Sequence, residues 1–217
     1  MKAARRLGVV RQFGLLVFLL VSLVLSGCST TIPFNTTYQG KISPTDIATD
    51  GYVVVESSVF DAKGTSIGKN YIDSMNGSLK DALEKHHIAL APENGLEQYR
   101  LLAKVVVPPE KALWRAKPAV GKNFGMAMIP IAGAFTPRFY TVSSDFNVDF
   151  KLFHGDILIR HEDYDMSDEK EIKVSNRKQA VESMEAAIRL WEKERDEAIE
   201  RFFLSLHDKF PARTAQN

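Results

Sequence analysis

The longest regular pattern in the chain is a two-residue alternation. Tyr140, Val142, Phe146, Val148, Phe150 and Leu152 alternate with Thr141, Ser143, Asp145, Asn147, Asp149 and Lys151. Ser144 is the one polar residue on the apolar side. One apolar and one polar face over such a length describe a half-buried antiparallel strand. His154-Gly155-Asp156 reads as a turn and Ile157 to about Met166 as the return strand, a hairpin over about 139–166. Charge favours a two-residue His154-Gly155 turn, which sets Asp149 opposite Arg160. A Gly155-Asp156 turn sets Lys151 against Arg160 and Asp149 against Glu162 instead. Both leave Ile157 and Ile159 on the core face. Ser167 to Glu171 then reads as an acidic loop.

A helical period follows. Val181, Met184, Ile188, Trp191, Ala198, Phe202 and Leu206 recur at spacings of three, four or seven over about 175–209, as one apolar helix face requires. Such a helix is roughly 50 Å long. Arg195 interrupts the stripe, and Glu192-Lys-Glu-Arg-Asp-Glu197 is charged all round, which predicts a solvated middle or one projecting past the sheet. Trp191, Phe202 and Phe203 either pack on the sheet or anchor a neighbouring chain. Pro211 ends the helix, and 211–217 reads as a disordered tail.

Earlier in the chain, Tyr52 to Phe60 is rich in β-branched and aromatic residues and reads as a strand. A helix over about 72–87 follows, with Met75, Leu79, Leu83 and His86 on one face and Gly77 as a local weakness. Leu96 to Val107 reads as a second strand, stopped by Pro108-Pro109. The order of elements predicts an α+β fold: a two-layer domain over 51–210, a small mixed sheet covered by a short and a long helix.

Residues 108–138 fit no period. Lys111, Arg115, Lys117 and Lys122 precede an apolar stretch containing Phe124, Met126, Met128, Ile129, Ile131 and Phe135, punctuated by Pro130 and followed by Pro137. Basic residues beside an exposed apolar loop suit lipid head groups and acyl chains, or a partner protein. The same stretch folded inward would only cover the core. Together with Trp191, these residues are the candidate membrane or partner contact.

Residues 29–50 are polar, with Thr30, Thr31, Asn35, Thr36, Thr37 and Ser43 among sparse apolar positions. Such a segment buries too little to offset its ordering entropy and reads as a flexible tether over 28–50. Before it, Lys2, Arg5, Arg6 and Arg11 precede an apolar run from Phe13 to Leu25, which ends in Leu25-Ser26-Gly27-Cys28. Basic, apolar and small-residue regions in that order make an export signal over 1–27. The run falls short of the roughly 20 residues of an uncleaved span.

The ending Leu25-Ser26-Gly27-Cys28 resembles the lipobox of bacterial lipoproteins. The resemblance implies cleavage between Gly27 and Cys28 and acylation of Cys28, which becomes the membrane anchor. Ser29 rather than Asp after the cysteine resembles the pattern of lipoproteins sent to the outer membrane, facing the periplasm. The mature part is loosely similar in architecture to small α/β envelope accessory lipoproteins, such as those of lipopolysaccharide assembly or lipid-transport systems.

Charge and composition narrow the functions. The 217 residues carry 28 basic and 27 acidic side chains. Four basic and no acidic ones lie in 1–27, which leaves 24 against 27, a formal −3, beyond it. That balance argues against nucleic acid as a partner. Cys28 is the only cysteine, so its acylation leaves no thiol for a disulfide or a cysteine-based zinc site. Gly64-Thr65-Ser66-Ile67-Gly68 matches the nucleophile-elbow pattern, which needs a strand feeding directly into a tight turn and helix. Asp61-Ala62-Lys63 intervenes, and nothing marks His154, His161 or His207 as a base, so a flexible loop is the expectation and a serine hydrolase the alternative. His86 and His87 are adjacent and diverge on a helix. Asp163 to Glu169 lacks the glycine and final glutamate of an EF-hand. No metal, cofactor or enzyme activity is expected. The envelope reading is of a non-enzymatic module that binds a partner protein or lipid.

Overall fold

The computed structural model describes residues 32–40, 52–90, 99–119, 138–174 and 179–206. The chain divides into two units, Met1–Ile32 and Pro33–Asn217, and the account below concerns the second. Its elements in order are β1 (Val53–Phe60), α1 (Lys69–Lys85), β2 (Tyr99–Val106), β3 (Arg115–Pro118), β4 (Arg138–His154), β5 (Ile157–Val174) and α2 (Gln179–Leu206).

β4 is the spine of a five-stranded mixed sheet. β1 and β2 run parallel, with α1 as the crossover between them. β2 and β3 share one edge of β4, antiparallel to it: β2 pairs residues 147–154 and β3 pairs residues 140–143. β5 pairs the whole other edge. The alternation along β4 has its expected consequence. Val142, Ser144, Phe146, Val148, Phe150 and Leu152 are buried under the helices, and the other face is partly open. Ser144, the polar exception, donates to the Leu113 carbonyl at 2.9 Å, which satisfies a buried hydroxyl that would otherwise cost stability. The architecture is the expected two-layer α+β domain.

Apolar periodicity places both helices. Met75, Leu79 and Leu83 of α1 are fully buried, and His86 at its C-terminus stacks on Phe203 of α2 at 4.8 Å. Phe202 stacks on Phe150 of β4 at 4.8 Å, which ties α2 to the spine.

Four expectations need correction. The hairpin turn is Gly155-Asp156, not His154-Gly155, with His154 opposite Ile157. Gly155 takes φ 57°, as the first position of a II′ turn requires, and this turn twists with its flanking strands. A bulge beside Leu152/Phe153 then shifts the register, so Asp149 faces Asp163 rather than Arg160 or Glu162. Turn geometry and the bulge outweigh one exposed ion pair, which is worth a fraction of a kcal/mol to about 1 kcal/mol. Ile157, opposite His154 at the turn end of the sheet, lies past the helical cover and is 71% exposed. Second, Ser167–Glu171 is not a loop. β5 continues through it to Val174 because β4 starts at Arg138 and offers unpaired backbone along its whole length. Third, a short strand, β3, lies within the aperiodic region. Fourth, Met184 is exposed, and Ser183, Ala187 and Leu190 carry the buried line at that end of α2. There α2 covers β3 and β4, and Ala187 and Leu190 pack on Val142.

Phe202→Ala in the chain starting at residue 29 removes the ring that joins α2 to β4. Its urea-unfolding free energy should fall by about 3–5 kcal/mol.

Candidate functional site

The two helices meet directly where His86 stacks on Phe203, where Tyr71 packs edge-on against Trp191 and where Arg195 reaches Ser74. Residues 33–40 bridge them, held at Phe34, Asn35, Tyr38 and Gln39. Phe34 meets the Tyr71 ring of α1 at 4.7 Å and the Trp191 ring of α2 at 5.7 Å, both edge-on. Its neighbour Asn35 donates its backbone N–H to Glu192 Oε1 at 2.5 Å, and its carbonyl accepts from Ser74 Oγ at 2.6 Å and Arg195 Nη1 at 2.8 Å. The Tyr38 N–H donates to Asp81 Oδ2 at 2.8 Å, its carbonyl accepts from Lys85 Nζ, and the Gln39 N–H donates to Asp196 Oδ2 at 3.0 Å. The tether expected over 28–50 is therefore corrected for residues 33–40: they form a strap. Phe34 and Tyr38 supply the buried surface that a polar segment lacks, and acidic and basic side chains of both helices satisfy the strap's extended backbone.

This strap accounts for much of the charged run of α2, in which Glu192, Glu194, Arg195 and Asp196 are buried rather than solvated while Lys193 is exposed. Arg195 is 0% exposed. Its guanidinium donates to Asp196 Oδ1 at 2.7 and 2.9 Å, to Ser74 and to the strap. A buried charge is tolerated when its hydrogen bonds are filled in this way. Glu192 and Asp196 face the strap amides. Burial pushes the Asp196 carboxyl above its ordinary value of 3.8, outweighing the attraction of Arg195. Burial, then Glu200 and Asp196, push the Tyr38 hydroxyl upward as well, and it finds no hydrogen-bond partner among the described residues. Gly77 marks where the strap crosses α1. A Cβ there would lie 2.7 Å from Thr36 Cβ and 2.8 Å from its carbonyl oxygen, so the helix weakness is a site of close backbone approach. Outside the strap, a groove of about 990 Å³ runs along α2, lined by Phe34, Gln39, Arg189, Lys193, Glu197 and Leu204 among others.

The expected contact residues separate. Lys111, Arg115 and Lys117 are described. Arg115 and Lys117 pair with Ser143 and Thr141, which places them on the sheet face away from the helices. Lys111 pairs with Asp145 at 3.1 Å, Arg115 donates to the Glu110 carbonyl at 2.9 Å, and Lys117 is exposed. Lys122, Phe124, Met126, Met128, Ile129, Ile131 and Phe135 lie outside the described residues, as does His207. Trp191 is 1% exposed and is corrected from contact to core: Phe34 and Tyr71 cover its ring. Tyr71 also links to the basic segment, because Trp114 Nε1 donates to its hydroxyl at 2.9 Å.

Ser66 sits in an exposed turn. Asp61 Oδ1 accepts from the Lys63 and Thr65 N–H groups at 2.9 and 2.8 Å, and a β-bridge from Ser66 to Phe60 precedes α1. Among the described residues no histidine or carboxylate hydrogen-bonds its hydroxyl, and His86 lies at the far end of α1. The structure does bring together Asp149, His161 and Asp163 on the open sheet face. His161 Nε2 is 2.9 Å from Asp149 and 3.3 Å from Asp163, and Lys151 is 2.6 Å from Asp149, which gives Asp149 a cationic neighbour already. Asp163 to Glu169 is strand, which removes the cation-loop reading.

No family model and no curated protein sequence matches the chain. Solved structures are similar in outline. A Xanthomonas campestris protein of family-model DUF330 is 10% identical, with 83% of this chain and 98% of that one covered at a TM-score of 0.46. A Helicobacter pylori homolog of a neuraminyllactose-binding hemagglutinin is 13% identical, over 82% and 94%, at 0.42. Rare lipoprotein B from Shewanella oneidensis is 8% identical, over 70% and 94%, at 0.33. These likenesses assign no role to any residue.

Two substitutions test the strap. Gly77→Ala should lift it from α1, seen as faster hydrogen exchange at the Asn35, Tyr38 and Gln39 amides while the β4 amides stay protected. Asp196 binds its proton more tightly folded than unfolded, so its contribution to stability is greatest below its ordinary value and declines as pH rises through the raised one. The stability of the native chain relative to Asp196→Asn should therefore fall in urea melts as pH rises from below the ordinary aspartate value of 3.8 to above it.

Proposed function

We propose that this chain is a lipid-anchored protein of the bacterial envelope, attached through acylated Cys28, and a non-enzymatic module that contacts a partner protein or lipid. The observation that carries the reading is the join between signal and fold. An export signal ends in Leu25-Ser26-Gly27-Cys28, and the packed domain begins at Pro33, immediately past that cysteine. Ser29 favours the outer membrane, facing the periplasm. The contact surface is the basic segment that includes Lys111, Arg115 and Lys117, together with the apolar stretch that follows it in sequence. The alternative, a periplasmic serine hydrolase using Ser66, has less support because its turn is exposed and lacks a base among the described residues.

Cys28→Ala should stay uncleaved and take up no palmitate in cells, whereas the native chain is labelled and its processing stops with globomycin. A palmitate-free mature form would sink the anchor. Photo-crosslinkers at positions 117 and 126 should trap a specific protein or lipid, and failure at both removes the contact surface. Fluorophosphonate labelling should be the same with and without Ser66→Ala. A label lost on that substitution would reinstate the hydrolase.

A further inference from the structure

The strap alters what the anchor can do. Four residues, Ser29 to Ile32, separate Cys28 from Pro33. Five Cα–Cα steps span at most about 18 Å, against the twenty-residue reach that a flexible 29–50 segment would allow. A domain held so closely cannot rotate freely over the bilayer, and the part nearest the strap's entry is the part that meets it.

Contacts identify that part. The strap enters at Phe34, which packs on Tyr71 at the start of α1. Tyr71 holds Trp114 through its hydroxyl, and Arg115 is the next residue. The entry therefore lies at the end of the domain where β3 pairs with the first half of β4. The hairpin turn at Gly155-Asp156 closes the opposite end of β4. Charge is divided from edge to edge of the sheet. The β3 edge presents Arg115 and Lys117, with Lys111 just before it, while across β4 the same face of β5 presents Asp163, Asp165, Glu169 and Glu171, with Lys173 its one lysine.

We infer that the short leash docks the domain on the bilayer by its β3 edge, with Lys111, Arg115 and Lys117 against anionic phospholipid head groups and β5 turned away. The inference rests on the lipid-anchor reading and adds an orientation to it. Basic residues at such a surface each favour it, and three together correspond to roughly a hundredfold preference for the docked orientation. Carboxylates on β5 oppose the reverse orientation. Lys111 and Arg115 keep their local partners in doing so, since an exposed ammonium and a guanidinium have further donors to offer.

The test uses the acylated protein in vesicles of phosphatidylcholine with phosphatidylglycerol. Acylation consumes the only native thiol, so one introduced cysteine is the only reactive one. A water-soluble maleimide should label Pro118→Cys about tenfold or more slowly than Asp165→Cys or Asp156→Cys. Inserting about 20 Gly/Ser residues between Thr31 and Ile32 restores free rotation and should bring position 118 to the rate of 165, without altering the folded domain. Lys111→Gln/Arg115→Gln/Lys117→Gln should do the same with the short leash, as should vesicles of phosphatidylcholine alone. Equal rates at 118 and 165 on anionic vesicles, in protein shown to carry palmitate, overturn the orientation and leave the anchor standing. Protection at 118 that occurs only in cells assigns the surface to a protein partner and overturns it equally. Absence of palmitate overturns the anchor itself and the orientation with it.

Discussion

The helical layer of this domain is closed by a piece of chain that is neither helix nor strand. Residues 33–40 fill the space between α1 and α2, and Arg195 is the hub that fastens them. Its guanidinium is fully buried, yet it reaches Asn35 of the strap, Ser74 of α1 and Asp196 of its own helix. A buried guanidinium without these acceptors would cost several kcal/mol. The dependence is mutual. Strap amides stripped of water need Glu192, Asp81 and Asp196 as acceptors, and those carboxylates need donors. Core packing supplies most of the burial, but this polar seam specifies where each helix sits relative to the other.

From that seam follows the mechanical character of the molecule. A lipid-anchored domain on a long flexible chain explores a wide volume, and its surface orientation is unconstrained. With the anchor proposed at Cys28, a fold that begins at Pro33 would be confined and oriented. The sheet then matters as much for its edges as for its core. β5 is an edge strand of 18 residues, a length that invites pairing with other chains. Its exposed face carries alternating carboxylates, which discourage such pairing and separate it in charge from the basic β3 edge.

Much of this was readable along the chain, wherever a local period encoded a single buried face. α1, β4 and α2 were legible because Met75, Phe146 and Phe202 each belong to a repeating stripe, and β1 because Tyr52 to Phe60 is rich in β-branched and aromatic residues. β3 was not, because four residues hold too little pattern and its pairing comes from a β4 long enough to accept it. Hairpin register was not, because a bulge moved Asp149 from one partner to another without altering either strand's alternation. Trp191 was legible as important and ambiguous in direction: its stripe pointed inward, and the residue that covers its outer side, Phe34, is remote in sequence. The strap left traces in Gly77, a glycine inside a helix, and in Arg195, a charge inside an apolar stripe. Each marks a close approach whose partner lies elsewhere in the chain.

The sequence alone determined the basic-then-apolar run that ends at the single cysteine, the order of the longer elements and the two-layer architecture, since each rests on local composition or period. Only the tertiary structure decided that residues 33–40 are bound rather than free. It alone decided that Glu192, Arg195 and Asp196 are buried against the strap, and that the basic segment lies at the end of the domain where the strap enters. The reason is distance along the chain. Asn35 and Glu192 are 157 residues apart, and no periodicity records which distant backbone will supply the donors that let a charged helix face go inward.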